Sequence, residues 1–294
     1  MGRRLTIPGL IVSLMICTPA CGQGTVRSVK EAGQEAASSI GWLTTPEDSL
    51  LAVRLLSDLS THSADPVPAL MVRAGKALEG MPYVAGTLDE PGEELRIYLT
   101  RTDCIIFVET CLALARTASQ GGDFLAFAKE IQQSRYRGGH VEAYADRLHY
   151  TTEWARQGER RGTLKDITLD LGGEVLDRKI SYMSSHPDSY PLMDDVGAIR
   201  EAEARLNAEP RHYIPKARVA RVLGDLRSGD IICMVTNVEG LDISHVGMAL
   251  VENGTVHLLH ASTGPMKVVK DSRTLTQYLA ARSSVIGIQV LRPL

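Results

Sequence analysis

Aromatic side chains are scarce. The 294 residues hold three Phe, two Trp and nine Tyr, 5 % of the chain, which excludes broad stacking surfaces for nucleic-acid bases. There is no long basic run and the formal charge is −3, so no polyanion, and no nucleic acid, is expected as a partner. Metal-ligand spacings such as C-x₂-C or H-x₃-H are missing, which points to neither a metal nor another cofactor. The apolar stretch near the start, Ile7 to Cys17, is too short to cross a bilayer comfortably. No internal repeat or low-complexity segment occurs. What remains, 44 % hydrophobic and 23 % charged residues, describes a soluble globular protein with room for one large domain or two ordinary ones.

The first residues differ from the rest. Arg3 and Arg4 precede the apolar stretch, and small residues Thr18-Pro19-Ala20-Cys21-Gly22 follow it, the order of a secretory signal. Residues 1–21 are therefore read as a signal, ended either by simple cleavage or by lipidation of Cys21, which would anchor the protein to a membrane. The Leu usual three positions before a lipidated Cys is absent. Export, to a periplasm, is expected in either case. Residues 22–45 are small and polar, which suits a tether. Residues 46–294 then read as a single domain.

Periodicity predicts helices from Pro46 to about Ser60, from Pro66 to Leu78 and from Asp103 to Arg116, with Asp103 as an N-cap. Asp123 caps another, with Phe124, Phe127, Ala128 and Ile131 turned inward. Residues 135–215 lack clear periodicity and are read as loops and short helices, so that residues 122–215 form an insertion. Strands are predicted at Asp230–Val235, Ser244–Glu252, Thr255–Ser262, Lys267–Val269 and Val285–Leu291. Helices followed by strands imply an α+β fold with helices packed on an antiparallel sheet.

Three cysteines lie beyond the signal: Cys104, Cys111 and Cys233. In an oxidising compartment an odd number leaves at least one thiol unpaired within the chain. Cys104 and Cys111 stand on one predicted helix, roughly 10 Å apart, too far to bridge. Cys104 follows the cap directly, where exposed N–H groups and the macrodipole should stabilise a thiolate and could hold an oxyanion.

Asn253-Gly254 is a strong two-residue hairpin signal. It sets Ser262 opposite His245 and His260 opposite Gly247, so both imidazoles share a face as diagonal neighbours roughly 7–8 Å apart. Gly247 leaves space beside His260, and His257 points the other way. Cysteine, strand histidine and a second polar residue form a nucleophile–base–orienter set.

These residues resemble the NlpC/P60 family of cell-wall peptidases and amidases, on Gly80-Met81-Pro82-Tyr83, Asp103-Cys104-Ile105-Ile106-Phe107, Ser228-Gly229-Asp230-Ile231, Ser244-His245-Val246-Gly247 and Leu259-His260-Ala261, in the family's order. Within it the chain is similar to the DUF1460 branch of N-acetylmuramoyl-L-alanine amidase-like proteins, on Tyr83–Leu88, Asp103–Glu109, His149-Tyr150, Tyr182–Ser184 with His186-Pro187, Tyr213–Lys216 and Gly240–His245. The likeness runs from about Leu50 to the C-terminus. Ile105-Ile106 stand where small Thr residues are common, and Glu153 where Asp is usual.

The resemblance implies a papain-like core, with Cys104, His245 and His260 catalytic and Tyr83 and Asp103 supporting the oxyanion. It also implies cleavage between the lactyl group of N-acetylmuramic acid and L-alanine in peptidoglycan fragments. Arg147, His149, Tyr150, Trp154, Tyr182, Ser184, His186, Tyr213, Lys216 and Ser244 are then the candidate substrate contacts. Two alternatives stay open: cleavage of the D-γ-glutamyl–diaminopimelate bond by the same site, and a lipoprotein that only binds such fragments.

Overall fold

The computed structural model describes residues 42–294; the expected signal, Cys21 and nearly all of the expected linker lie outside the described residues. Helix α1 (Pro46–Ser60) starts behind Thr45, whose hydroxyl oxygen accepts the Asp48 N–H, and Pro46 occupies its first turn, where a missing N–H costs nothing. The buried Asp48 carboxylate in turn accepts the Leu99 and Thr100 N–H groups at 2.7 Å each. Helix α2 (Val67–Ala77) follows. Strands β1 (Trp42–Leu43) and β2 (Leu95–Arg96) pair in parallel. Helix α3 (Cys104–Ser119) carries the candidate nucleophile, and α4 (Phe124–Arg135) turns back against it.

The remaining elements are α5 (Thr151–Arg160), β3 (Leu164–Asp166), β4 (Glu174–Val175), α6 (Tyr182–Ser185), α7 (Val196–Asn207), β5 (His212–Pro215), β6 (Ile231–Thr236), β7 (Ile243–Glu252), β8 (Thr255–Ser262), β9 (Lys267–Thr274), α8 (Leu275–Ala280) and β10 (Val285–Pro293). The main sheet runs β4-β5-β10-β6-β7-β8-β9, with β3 also on β10, and its pairings are antiparallel. The expected arrangement of helices on an antiparallel sheet is present.

Residues 135–215 differ from their reading as loops and short helices, because they also supply β3, β4 and β5. Each spans two to four residues, too short for a period-two pattern to register. Helix α4, also within the expected insertion, packs Phe124, Phe127 and Ile131 into the main core. Tyr144, Tyr150, Ile180, Met183, Ile199 and Leu206 make a small core of their own.

Both faces of the sheet are buried. Ile231, Cys233, Val246, Met248, Leu259 and Ala261 pack towards α1–α4. Ile232, Met234, Ala249, Leu258, Ile288 and Val290 pack towards Leu275, Tyr278 and Leu279 of α8. That double burial explains why β6 is apolar without alternation, all six residues being buried. Helix α2 lies close on the sheet because Gly75 has no side chain: a Cβ there would stand 2.5 Å from the Met248 methyl carbon.

Candidate active site

The site begins with a cap. Asp103 adopts an extended backbone and its Oδ1 accepts the Ile106 N–H at 2.9 Å, which places Cys104 at the first helical position of α3. The sulfur packs against the backbone N–H groups of Cys104, Ile105 and Val246. Val246 directly follows His245, so the thiol stands at the start of β7, one residue from the imidazole's own backbone.

Burial opposes the expected thiolate. Burial first, then the Asp103 charge, pushes the Cys104 thiol up to about 12, against the lowering effect of the three amides. A helix terminus contributes about 0.3–2 kcal/mol, whereas desolvation of a buried charge reaches about 4–7 kcal/mol. Desolvation wins. His245 is correspondingly held neutral, its pKa lowered to about 3 by burial and then by His260. The resting pair is thiol and imidazole, and no hydrogen bond joins them in this geometry; such bonds often tighten only with substrate bound.

The hairpin follows the register read from its turn. Asn253 (φ 50°) and Gly254 (φ 75°) both take the left-handed region, and Met248 pairs with Leu259 through to Glu252 with Thr255. His245 Nε2 and His260 Nδ1 are 2.7 Å apart, with rings nearly perpendicular at 86°. A Cβ on Gly247 would meet the His260 Cβ at 2.8 Å. His257 faces away, its Nδ1 against the Asp271 and Arg273 carbonyls.

Tyr83 stands by the thiol. Burial raises its hydroxyl pKa to about 12, with Cys104 and Asp103 as the nearby acids adding to the rise, so it remains a donor. Its backbone is fixed by Tyr83 N–H to the Met266 carbonyl at 2.9 Å.

The ten candidate substrate contacts divide. Arg147, His149 and Trp154 line a cavity of about 160 Å³ together with Asp103, Ile105 and Asp89, beside Cys104. Arg147 is already paired with Asp89 (3.4 Å) and Glu93 (3.3 Å). His149 stacks on Tyr144 and is held neutral, near 3, by burial and then Arg147. Trp154 is buried, its indole N–H donating to Ser134 Oγ. Tyr150 is likewise buried, donating to Glu203 and accepting the Met183 N–H, and Ser184 also donates to Glu203. Tyr182 and His186 stack on each other, centroids 4.3 Å apart. Tyr213 lies on β5, and Lys216 donates to the Leu279 carbonyl in the last turn of α8 and to the Arg282 carbonyl just past it. Ser244 is exposed and donates to the Met234 carbonyl.

Four groups escaped the sequence reading. Asp242, buried, accepts the Thr152 N–H and so ties α5 to the start of β7. Tyr278 stacks near His245 and meets His260 edge-on. Asp271 and Arg273 stand behind His260. For Asp271 a signal existed: it shares strand parity with Val269, which pairs with His260, but the strand was read as ending at Val269.

Comparison with known proteins decides the family. The family model described as AmiA-like, N-acetylmuramoyl-L-alanine amidase-like, matches residues 73–288. The chain belongs to this amidase-like family. It is 36 % identical to a crystallised N-acetylmuramoyl-L-alanine amidase from Bacteroides uniformis ATCC 8492, covering 78 % of this chain and 99 % of that one with a TM-score of 0.74. It is 37 % identical to a putative xylanase from Bacteroides fragilis (75 % and 99 % covered, TM-score 0.69). A Legionella pneumophila protein of family DUF1460, 22 % identical, shares the fold at a TM-score of 0.65 over 82 % and 93 % of the two chains. No curated protein matches. The amidase-like family spans each of Cys104, His245 and His260 here.

Proposed function

We propose that this chain is an NlpC/P60-type cysteine amidase with a papain-like core, hydrolysing the bond between N-acetylmuramic acid and L-alanine in muropeptides. The reading rests on one observation above others: a cysteine at a helix N-terminus packed against the amide beside His245, whose ring is hydrogen-bonded to His260. His245 Nε2 is occupied by His260, so Nδ1 receives the Cys104 proton as the sulfur attacks the lactyl carbonyl. The Cys104 N–H and Tyr83 hydroxyl stabilise the oxyanion, a donor of this kind being worth about 3–4 kcal/mol. The C–N bond then breaks as His245 protonates the departing L-alanine amine, leaving a thioester. Water, giving its proton to His245, attacks that thioester and regenerates Cys104 with release of the lactyl carboxylate.

The xylanase name borne by one relative does not favour a glycosidase here. That chemistry uses two carboxylates flanking the scissile bond. Of the acids lining the cavity beside Cys104, Asp103 is engaged as a cap, Glu109 is buried and bonded to Arg135, and Asp89 is paired with Arg147.

Export through residues 1–21, with or without a lipid on Cys21, is part of the same reading and agrees with a peptidoglycan substrate. Mass spectrometry of products from an anhydro-disaccharide tetrapeptide tests the bond assignment. Free tetrapeptide supports it; a disaccharide dipeptide would move the cut to the γ-glutamyl bond.

A further inference from the structure

The His260 ring is fully buried and holds its two nitrogens in different company. Nδ1 faces His245 Nε2 at 2.7 Å. Nε2 makes no hydrogen bond among the described residues; the acceptor it faces is Asp271 Oδ2, at 3.6 Å. Asp271, only 8 % exposed, is itself fixed. Its Oδ1 accepts the Arg273 N–H and Nε–H, both at 2.9 Å, and its Oδ2 accepts from Arg273 Nη2 at 2.7 Å. The Arg273 hydrogen bonds lead in lowering this carboxyl to about 2, so it is ionised throughout the neutral range. The other polar groups around the rings are cationic or neutral. Arg273 and Arg282 lie over the Tyr278 ring at 4.7 and 4.8 Å, and Arg282 donates to the Tyr278 hydroxyl.

A neutral imidazole carries one N–H, and that limits the pair to two arrangements. In one, His260 donates from Nδ1 to His245 Nε2. His245 then carries its own proton on Nδ1 and cannot accept one from Cys104. In the other, His260 is protonated on Nε2 and accepts at Nδ1 from His245 Nε2–H, which leaves His245 Nδ1 as a free base. A carboxylate can only accept.

We propose that Asp271, held by Arg273, is a positioning residue that selects the second arrangement. It keeps the proton of His260 on Nε2 and thereby sets the tautomer of His245 through two rings. The run is Asp271 carboxylate, His260 Nε2–H, His260 Nδ1, His245 Nε2–H, His245 Nδ1. When the Cys104 proton arrives, the same carboxylate balances the positive charge on the rings against Arg273 and Arg282. The assignment rests on Cys104–His245 catalysis, but its mark on the tautomers exists without substrate.

The test is nitrogen-15 NMR of the histidine rings near pH 7, in wild type and in Asp271→Asn, which keeps the side chain's size and an oxygen for the Arg273 N–H. Wild type is expected to show His245 protonated at Nε2 and unprotonated at Nδ1, and Asp271→Asn to populate the reverse tautomer. With the muropeptide substrate, Asp271→Asn is expected to lose about 10²-fold or more in kcat, a wrong tautomer being severe, with KM within about threefold because no substrate contact is lost. Asp271→Glu, which restores the charge, is expected to recover part of the rate. Protonation of His245 at Nδ1 in wild type would overturn the proposal even if Asp271→Asn failed to fold. Unchanged tautomers and kcat in a folded Asp271→Asn protein would overturn it as well. Absence of any wild-type turnover with correct tautomers would fault the substrate reading instead.

Discussion

His245 Nε2 lies 2.7 Å from His260 Nδ1, with the two rings at 86° to each other, and the space that permits this belongs to Gly247. A methyl group at that position would sit 2.8 Å from the His260 Cβ, closer than carbon atoms pack. Gly247→Ala is therefore expected to displace His260. Overpacking costs about 1–3 kcal/mol, and a misplacement near 1 Å can cost about 10²-fold in rate. Thermal melting and kcat measured together check this: a melting temperature lowered by a few degrees, with kcat down at least tenfold, is the expected pattern. An unchanged kcat would show that the ring pair is not placed by this contact.

Glu109 and Arg135 form a buried pair lining the cavity beside Cys104, with Arg135 donating twice to one carboxylate oxygen, at 2.8 and 2.6 Å, and also to the Arg96 carbonyl. Removing one partner strands the other charge, a loss of about 3–5 kcal/mol. Glu109→Ala should lower the unfolding free energy in urea by that amount. A change under about 1 kcal/mol, the size found for exposed pairs, would mean that the guanidinium finds water or another acceptor.

His149 makes the fold sensitive to acid. Its pKa is lowered from 6.5 to about 3, so the unfolded chain takes up the proton first as pH falls. The stability tied to this ring is fully present above pH 6.5 and drains as pH falls towards 3. Between pH 7 and pH 5 the loss is about 2 kcal/mol. Other groups titrate in the same window, so the readable quantity is a double difference: the stability gap between wild type and His149→Gln should shrink by about 2 kcal/mol from pH 7 to pH 5. A gap independent of pH would show that His149 titrates normally.

Much of the site was legible because it rests on short-range rules. Asp103 is a good cap residue, so the start of α3 and the place of Cys104 follow from local hydrogen bonding. Asn253-Gly254 dictates a two-residue turn, and the turn dictates which histidines share a face. What escaped depended on long-range packing. The thiol's elevated pKa comes from desolvation by surrounding elements, which no local pattern records. Tyr150 reads as a ligand-facing residue in a polar segment, yet it is buried, with its hydroxyl between Glu203 and the Met183 N–H. Strands β3 to β5 are short pieces held by the register of β10 or of one another. Asp271 was missed because β9 continues past Val269, through polar residues that do not look like a strand.

The central claim is covalent catalysis by Cys104. Intact-protein mass spectrometry after rapid acid quench, with wild type and Cys104→Ala each incubated with an anhydro-disaccharide tetrapeptide, tests it most directly. A transient adduct on Cys104 with the mass of the anhydro-disaccharide lactyl acyl group and free tetrapeptide in solution are expected from wild type, and neither from Cys104→Ala. Release of tetrapeptide by folded Cys104→Ala at a rate near wild type would contradict it.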